Sequence, residues 1–525
     1  MTSNLPVFRD RRIAALAVIC LSVFVISVDA TIVNVALPTL SRELDADTAQ
    51  LQWIVDAYTL VISALLLSAG SLSDRYGRRG WLSMGLLVFA VTSAVAAQMD
   101  SAEALIAARA AMGVGAAVIF PTTLALISNI FTEPAQRAKA IGVWAAMTGV
   151  GVAAGPISGG WLLENFSWGS IFWVNVPLAA IAIVGGWLFV PTSRDPATPP
   201  IDVPGLLLSA AGVTALIYTI IEAPNVGWGS GRTLAGFALA AVVLAGFAAW
   251  ERTRSHPMLD LSVFRNRRFS GGSLAVTAGF LTLFGFIFVI TQYFQFVKDY
   301  SAFETGVRLL PVAISIAVAS ILGPRIVERI GTTVVVAGGL AIFAAGLAWA
   351  ATTSAETSYL EIAVQMVLLG GGLGLTTAPA TEAIMGSLSA DKAGVGSAVN
   401  DTTREFGGTL GVAIVGSVFA SVYSGRLADA PALQGLPAEA RSAMGESMAA
   451  AQRVIAELPA VRVPDVHAAV ESAFLDGLWF GSMVSAAIAL TAAVVVAVLL
   501  PARERRVEVD AAEAGEPTTP LRQPS

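Results

Sequence analysis

The chain has 525 residues, 55% of them hydrophobic and only 13% charged, with a mean hydropathy of +0.73 and a net charge of −6. A soluble domain carries about 25% charged residues, so this composition excludes a string of ordinary soluble domains. One cysteine, Cys20, and two distant histidines, His256 and His467, exclude a disulfide framework and a Cys- or His-based metal cluster; no basic cluster with interleaved aromatics marks a nucleic-acid surface.

Apolar runs long enough to cross a bilayer recur from end to end. In chain order they cover about residues 13–37, 51–72, 80–98, 103–127, 138–162, 170–190, 204–222, 232–250, 270–296, 304–324, 332–352, 359–386, 393–421 and 473–500. A backbone in lipid must satisfy its own N–H and C=O groups, so fourteen such runs predict an all-α integral membrane bundle. The first, "RDRRIAALAVICLSVFVIS", has a basic flank, but its apolar run is too long for a signal peptide and lacks a cleavage site. It reads as a retained span.

Numbering spans from a cytoplasmic N-terminus gives the cytoplasmic loops about twenty basic residues, including Arg11, Arg75, Arg137, Arg252, Arg325 and Lys392. The short outer loops receive Arg42, Arg232, Lys298 and Arg308. An even count keeps this alternation and places both termini in the cytoplasm. Residues 423–471 form a long outer loop, in which "PAEARSAMGESMAAAQRVIAEL" suits an amphipathic surface helix. The polar tail, 501–525, is expected to be disordered.

A repeat runs through the chain. "GSLSDRYGRRG" (70–80) follows span 2, and "GPRIVERIGTT" (323–333) follows span 10, sharing an apolar-x-acid-Arg-x-Gly pattern. Gly113 and Pro121 in span 4 match the spacing of Gly371 and Pro379 in span 12. Two six-helix halves, 1–190 and 269–500, with two inserted spans in 191–268, account for the total. Transporters built from such halves place substrate between them, near the midplane.

At these residues the chain resembles a known family. "GSLSDRYGRR" is similar to the cytoplasmic-loop signature of the major facilitator superfamily, "RAAMGVG" (109–115) to its second motif, and "GVAAGPISGG" (151–160) to its antiporter motif. "DATIVNVALP", "WIVDAYTL", "HPMLDLSVFRNRRF" and "NDTTREFGGTLGVAIVGS" resemble the fourteen-span drug:proton antiporter branch, the EmrB/QacA type. One departure is "WGSIFWVNVP" (168–177), where Gly169 stands in place of the branch's usual basic residue. The resemblance implies the major facilitator fold and a proton-coupled exporter of hydrophobic, often cationic drugs, working by alternating access. It also implies a monomeric carrier that needs no cofactor.

In the loop motif, Gly70 and Gly77 allow a tight turn, and Asp74 can bridge to Arg75, Arg78 or Arg79. Positive-inside anchoring alone explains the same residues; the resemblance implies a conformational latch. In the antiporter motif, Gly151, Gly155 and Gly159 share one helix face that lets backbones approach closely, followed by Gly160, and Pro156 can kink the helix. Plain packing is the alternative. In exporters of the family this face seals the pathway.

Charges inside the spans are expensive and ask for an explanation. Asp29, Asp56 and Arg109 fall at roughly 13, 8 and 9 Å from the outer ends of spans 1, 2 and 4. A cluster facing a wet cavity is one reading; a structural ion pair that never titrates, or for Asp56 an interfacial place, is the other. In the second half, Asp401, Arg404 and Glu405 share a face of span 13, near Glu382 late in span 12. Either Arg404 neutralises one carboxylate and another titrates, or the set is structural. Glu222 reads as interfacial. Trp53, Tyr58, Phe120, Trp144, Phe284, Phe288 and Tyr293 are candidate cavity aromatics for a cationic, amphiphilic drug, although such rings equally face lipid or a neighbouring helix.

A proton-driven exporter is the leading expectation, with drugs, protons and the bilayer as partners and a bacterial inner membrane as location. Alternatives are a dedicated exporter of one antibiotic or lipid, or a proton-coupled nutrient importer. No P-loop, metal-ligand set or His-based triad supports an enzyme or direct use of ATP.

Overall fold

The computed structural model describes residues 6–194, 202–254, 257, 259–387 and 393–501. The predicted tail and Lys392 lie outside these residues. The helices are α1 (Pro6–Glu43), α2 (Thr48–Tyr76), α3 (Arg78–Ala96), α4 (Ala102–Ile130), α5 (Pro134–Asn165), α6 (Ser170–Trp173), α7 (Asn175–Phe189), α8 (Val203–Val226) and α9 (Gly231–Glu251). They continue as α10 (Arg267–Phe296), α11 (Ala302–Arg308), α12 (Leu310–Ile330), α13 (Thr332–Ala350), α14 (Tyr359–Gly386), α15 (Ala393–Ala428), α16 (Ala438–Glu446), α17 (Met448–Ala456) and α18 (Val463–Leu499). Fourteen segments are long and apolar enough to cross a membrane, with α6–α7 and α11–α12 each making one. The predicted span count holds.

Helix ends follow local chemistry. Asp47 accepts from the Gln50 amide at 2.7 Å while its own N–H donates to Gln50 Oε1 at 3.0 Å, so α2 starts on a capping box. Ser301 and Glu304 do the same for α11. Gly77 (φ 113°) and Gly331 (φ 86°) each form a one-residue hinge, between α2 and α3 and between α12 and α13. That backbone region strains any residue with a Cβ. The two glycines confirm the repeat at its loops.

Within the spans the repeat shows a shift. A Cβ on Gly115 would lie 2.8 Å from Gly85 O and from Phe89 N; one on Gly372 would lie 2.6 Å from Gly339 O and from Phe343 N. Gly113 abuts Tyr58 O of α2 as Gly370 abuts Val312 O of α12. Gly113 therefore corresponds to Gly370, one residue from the Gly371 that sequence spacing suggests; a Cβ on Gly371 would meet nothing within 4 Å. Small residues carry the same backbone contacts in both halves, and one residue of slippage separates the chains around them.

α1–α7 form one six-span half and α10–α15 with α18 the other. The inserted α8 packs across α2 and α15, so it lies over a seam between the halves. Leu60, Ile217, Ile220, Ile221 and Ala413 make an apolar cluster at that junction. α9 packs on α8 and otherwise exposes apolar side chains such as Leu234 and Val242.

The halves touch toward the face that carries residues 429–462, here the loop face; the opposite one is the basic face. Gln295 Nε2 donates to Val35 O at 2.8 Å, and Thr409 Oγ1 to Thr59 Oγ1 at 2.8 Å. A Cβ on Gly306 would lie 2.2 Å from Pro156 O. Toward the basic face, Cβ atoms on Gly142 and Gly149 would meet nothing within 4 Å, and Val143 and Val150 are about half exposed. The halves meet at the loop face, while toward the basic face this stretch of α5 stands exposed.

The outer loop differs from expectation. α18 starts at Val463, about ten residues before the predicted span, and the predicted amphipathic helix is broken at Ser447 into α16 and α17. Met444, Met448 and Ile455 join the main core instead of lying on a surface. The segment grips the α1–α2 turn of the other half: Thr48 Oγ1 donates to Glu446 O at 2.8 Å, and Arg453 pairs with Asp45 and donates to Arg42 O.

Candidate functional site

The first half is built around Asp29. Its Oδ2 accepts from Arg109 Nη1 at 2.6 Å and its Oδ1 from Asn175 Nδ2 at 2.8 Å. Arg109 Nε donates to Ile54 O at 3.1 Å, and its guanidinium lies 4.1 Å from the centre of the Tyr58 ring. Asn175 also donates to Ser93 Oγ, which donates to Phe172 O. Asp29 and Arg109 are 0% and 1% exposed. One network thus ties α1, α2, α3, α4 and α7.

The structure sorts the residues singled out in the sequence. Asp29 and Arg109 form a buried ion pair in this conformation, one of the two alternatives raised for them. Tyr58 packs on Arg109, fully buried, and lines no cavity. Asp56 lies apart from the pair: it is 0% exposed, and neither carboxylate oxygen has a hydrogen-bond partner among the described residues. Asn175 and Ser93 were missed, although an asparagine inside the apolar "WVNVP" was a visible signal.

In the second half, Asp401, Arg404 and Glu405 stand partly exposed on α15. Arg404 Nη2 contacts Thr381 Oγ1 at 3.4 Å and its guanidinium lies 5.4 Å from the Phe280 ring. Among the described residues no ion pair within 4 Å joins it to either carboxylate, and Asn400 Nδ2 donates to Asp401 Oδ1 at 3.5 Å. Glu382 is exposed near the end of α14 and makes no described contact with this cluster. Glu222 is half-buried near the loop-face end of α8.

The aromatics separate. Phe280, Phe284 and Ile287 form a partly exposed stripe on α10, at i, i+4 and i+7. Phe288 and Tyr293 are 0% exposed, with the Tyr293 hydroxyl donating to Ser354 O at 2.7 Å, so neither lines a cavity. Trp53 packs 6.2 Å from Tyr218 of the inserted α8. Phe120 and Trp144 make an edge contact at 6.2 Å between α4 and α5, and Trp144 Nε1 donates to Thr123 Oγ1. Phe280 was missed because aromatics crowd α10 and only packing shows which ones are open.

The antiporter motif has two working faces. Cβ atoms on Gly151, Gly155 and Gly159 would lie within 2.7 Å of Ser27, Thr31 and Ile32, so this face docks α5 on α1. Pro156 and Gly160 point instead to the other half: a Cβ on Gly160 would lie 2.4 Å from Phe303 Cα. In the loop motif, Arg75 is exposed and Arg79 lies 4.7 Å over the Trp187 ring, while the Arg78 amide donates to Ser193 O. The Asp74 side chain lies outside the described residues, so the expected Asp74 bridge does too.

Two helical halves closed at one face, with ionisable groups held inside both, define a membrane carrier of the alternating-access type. The chain belongs to the Major Facilitator Superfamily, whose profile matches residues 19–412. It is 36% identical over 484 residues to the multidrug efflux pump LfrA of Mycolicibacterium smegmatis, covering 92% of this chain and 95% of that one. It is 32% identical to the tetracenomycin C resistance and export protein of Streptomyces glaucescens, covering 93% and 91%. Among solved structures, a bacterial homologue of the human lysosomal transporter Spinster, inward-facing, aligns with a TM-score of 0.65 at 16% identity, covering 93% and 98%. These relatives are carriers, and the family assignment makes this chain a carrier and no enzyme.

Proposed function

We propose that the protein exports hydrophobic, often cationic drugs in exchange for protons, with its basic face toward the cytoplasm and both termini there. One observation carries the coupling. Asp401 and Glu405 stand partly exposed on α15, Asp401 meeting only Asn400 Nδ2 at 3.5 Å while Arg404 turns to Thr381, an arrangement in which the carboxyls can exchange protons or meet a cation. Phe280 and Phe284 add apolar surface on the neighbouring α10 for the drug's body. The printed functions of the relatives, multidrug efflux and tetracenomycin C export, support the substrate class.

In this reading the Asp29–Arg109 pair positions the first half, the 70–79 motif latches the basic face in the opposite state, and Pro156 and Gly160 seal the loop face. The carrier acts as a monomer without a cofactor, its chain divided as 1–190, 191–268 and 269–500. The test is full-length protein in proteoliposomes, with an imposed pH gradient and a panel of fluorescent lipophilic cations. Transport is expected to stop when the gradient is collapsed; transport that ignores the gradient overturns the proposal.

A further inference from the structure

Arg404 takes an unexpected position for an arginine with an acid on its own helix. Asp401 lies three residues before it on α15, a spacing at which a guanidinium and a carboxylate commonly pair. No ion pair forms between them. Arg404 turns instead to α14 and α10: its Nη2 donates to Thr381 Oγ1 at 3.4 Å, and its guanidinium lies 5.4 Å from the centre of the Phe280 ring, within cation–π range. Its Nε is buried with no hydrogen-bond partner among the described residues. Charge alone does not favour this arrangement, because a hydroxyl oxygen is a weaker partner for a guanidinium than a carboxylate is.

The hydrogen bonds of Thr381 account for it. A threonine hydroxyl has one proton to give and two lone pairs to accept with. Thr381 Oγ1 donates to Asn400 Oδ1 at 3.1 Å, so its proton is committed there and its lone pairs are left for Arg404. Asn400 is buried, and its Nδ2 donates to Asp401 Oδ1 at 3.5 Å. One amide side chain therefore fixes the direction of the Thr381 hydroxyl and also touches the acid. The series Arg404, Thr381, Asn400, Asp401 connects the cation and the acid of α15 through two neutral residues, one of them on α14.

We propose that Thr381 and Asn400 are positioning residues that hold Arg404 away from Asp401 and so keep that carboxyl available to a cationic drug. The inference rests on the exchange of cations and protons proposed above. With the hydroxyl in place, the guanidinium is held by Thr381 and Phe280, and Asp401 meets only a neutral amide. Without it, Arg404 loses its partner on α14, and Asp401 stands within one turn of the same helix as an acceptor. An Asp401–Arg404 pair would occupy the oxygens that a drug cation needs. The two neutral side chains therefore set the charge that the site presents, and they act through Arg404 without contact with the drug.

The test uses the full chain purified in detergent, with ethidium, a fluorescent lipophilic cation, as the probe. Thr381→Val keeps the side-chain shape, removes the hydroxyl and is expected to weaken ethidium binding by about tenfold or more. Thr381→Ser is expected to keep wild-type affinity. Thr381→Val combined with Arg404→Met is expected to recover it, because the competing guanidinium is gone; a purely structural role for Thr381 gives no such rescue. A second measurement needs no ligand. The melting shifts of Asp401→Asn and Arg404→Met are expected to depart further from additivity in a Thr381→Val background than in the wild-type chain, as a newly formed ion pair requires. Wild-type ethidium affinity in Thr381→Val, weak binding in the serine or the double variant, or equal coupling in both backgrounds overturns the positioning role. Wild-type protein that binds no ethidium, or whose ethidium transport in proteoliposomes ignores a pH gradient, overturns the parent reading instead, and the melting comparison then decides the positioning by itself.

Discussion

At the scale of single residues, the buried network at Asp29 sets the stakes. Removing one partner of a buried ion pair leaves an uncompensated charge and typically costs about 3–5 kcal/mol, whereas replacing both can be near neutral. Asp29→Asn and Arg109→Met are each expected to lower thermal stability in detergent by that order, and the double variant by less than the sum. Additive losses would show that the pair carries no coupling energy. The presence of a charge at position 29 was legible from the sequence, because an aspartate in a long apolar run must be explained. Its partner was legible only as one of several charges at similar depth. The sequence could not show that Asp56 is left out of the pair, since that depends on where the 3.6-residue period points each side chain once α1, α2 and α4 are packed.

At the scale of elements, α5 divides its labour by helix face. The glycines at 151, 155 and 159 hold α1, and the turn offset by one residue meets α11. Gly155→Leu is expected to split α5 from α1 and lose most folded protein, because even a Cβ there would lie 2.1 Å from Thr31 Oγ1. Gly142→Leu, in open space, is expected to fold normally; size-exclusion profiles of the two variants check this. The existence of each long helix was readable, since lipid permits such a run no other backbone here, although ends such as the start of α18 at Val463 were not. The α16–α17 pair was not. Its apolar positions suit a surface helix by periodicity, and only the α1–α2 turn beneath it shows that they are covered.

At the scale of the whole molecule, the α16–α17 segment links the two halves at the loop face. Arg453→Ala removes the pair with Asp45 and is expected to shift the carrier toward the loop-face-open state, read as a longer distance between spin labels on exposed Asn165 and Thr352. Burial and the neighbouring Asp47 push the Glu446 carboxyl up, with Arg453 opposing. A raised folded value means the neutral acid suits the fold, so this contribution is fully present at low pH and is lost as pH rises through the folded value. Glu446→Gln is therefore expected to raise the melting temperature at pH 7 by on the order of 1 °C and to leave it unchanged near pH 4. Equal shifts at both pH values would rule out titration at this position.

The inserted α8 leaves the molecule lopsided. A bundle of two related halves offers the surrounding bilayer two flanks where the halves meet, and here one of them is roofed by Ile217, Ile220 and Ile221 while at the other α5 meets α11 and α12 with no inserted helix over it. The extra hairpin thus screens the α2–α15 junction from the lipid tails, whereas the α5 junction keeps them out by the direct packing of the two halves alone.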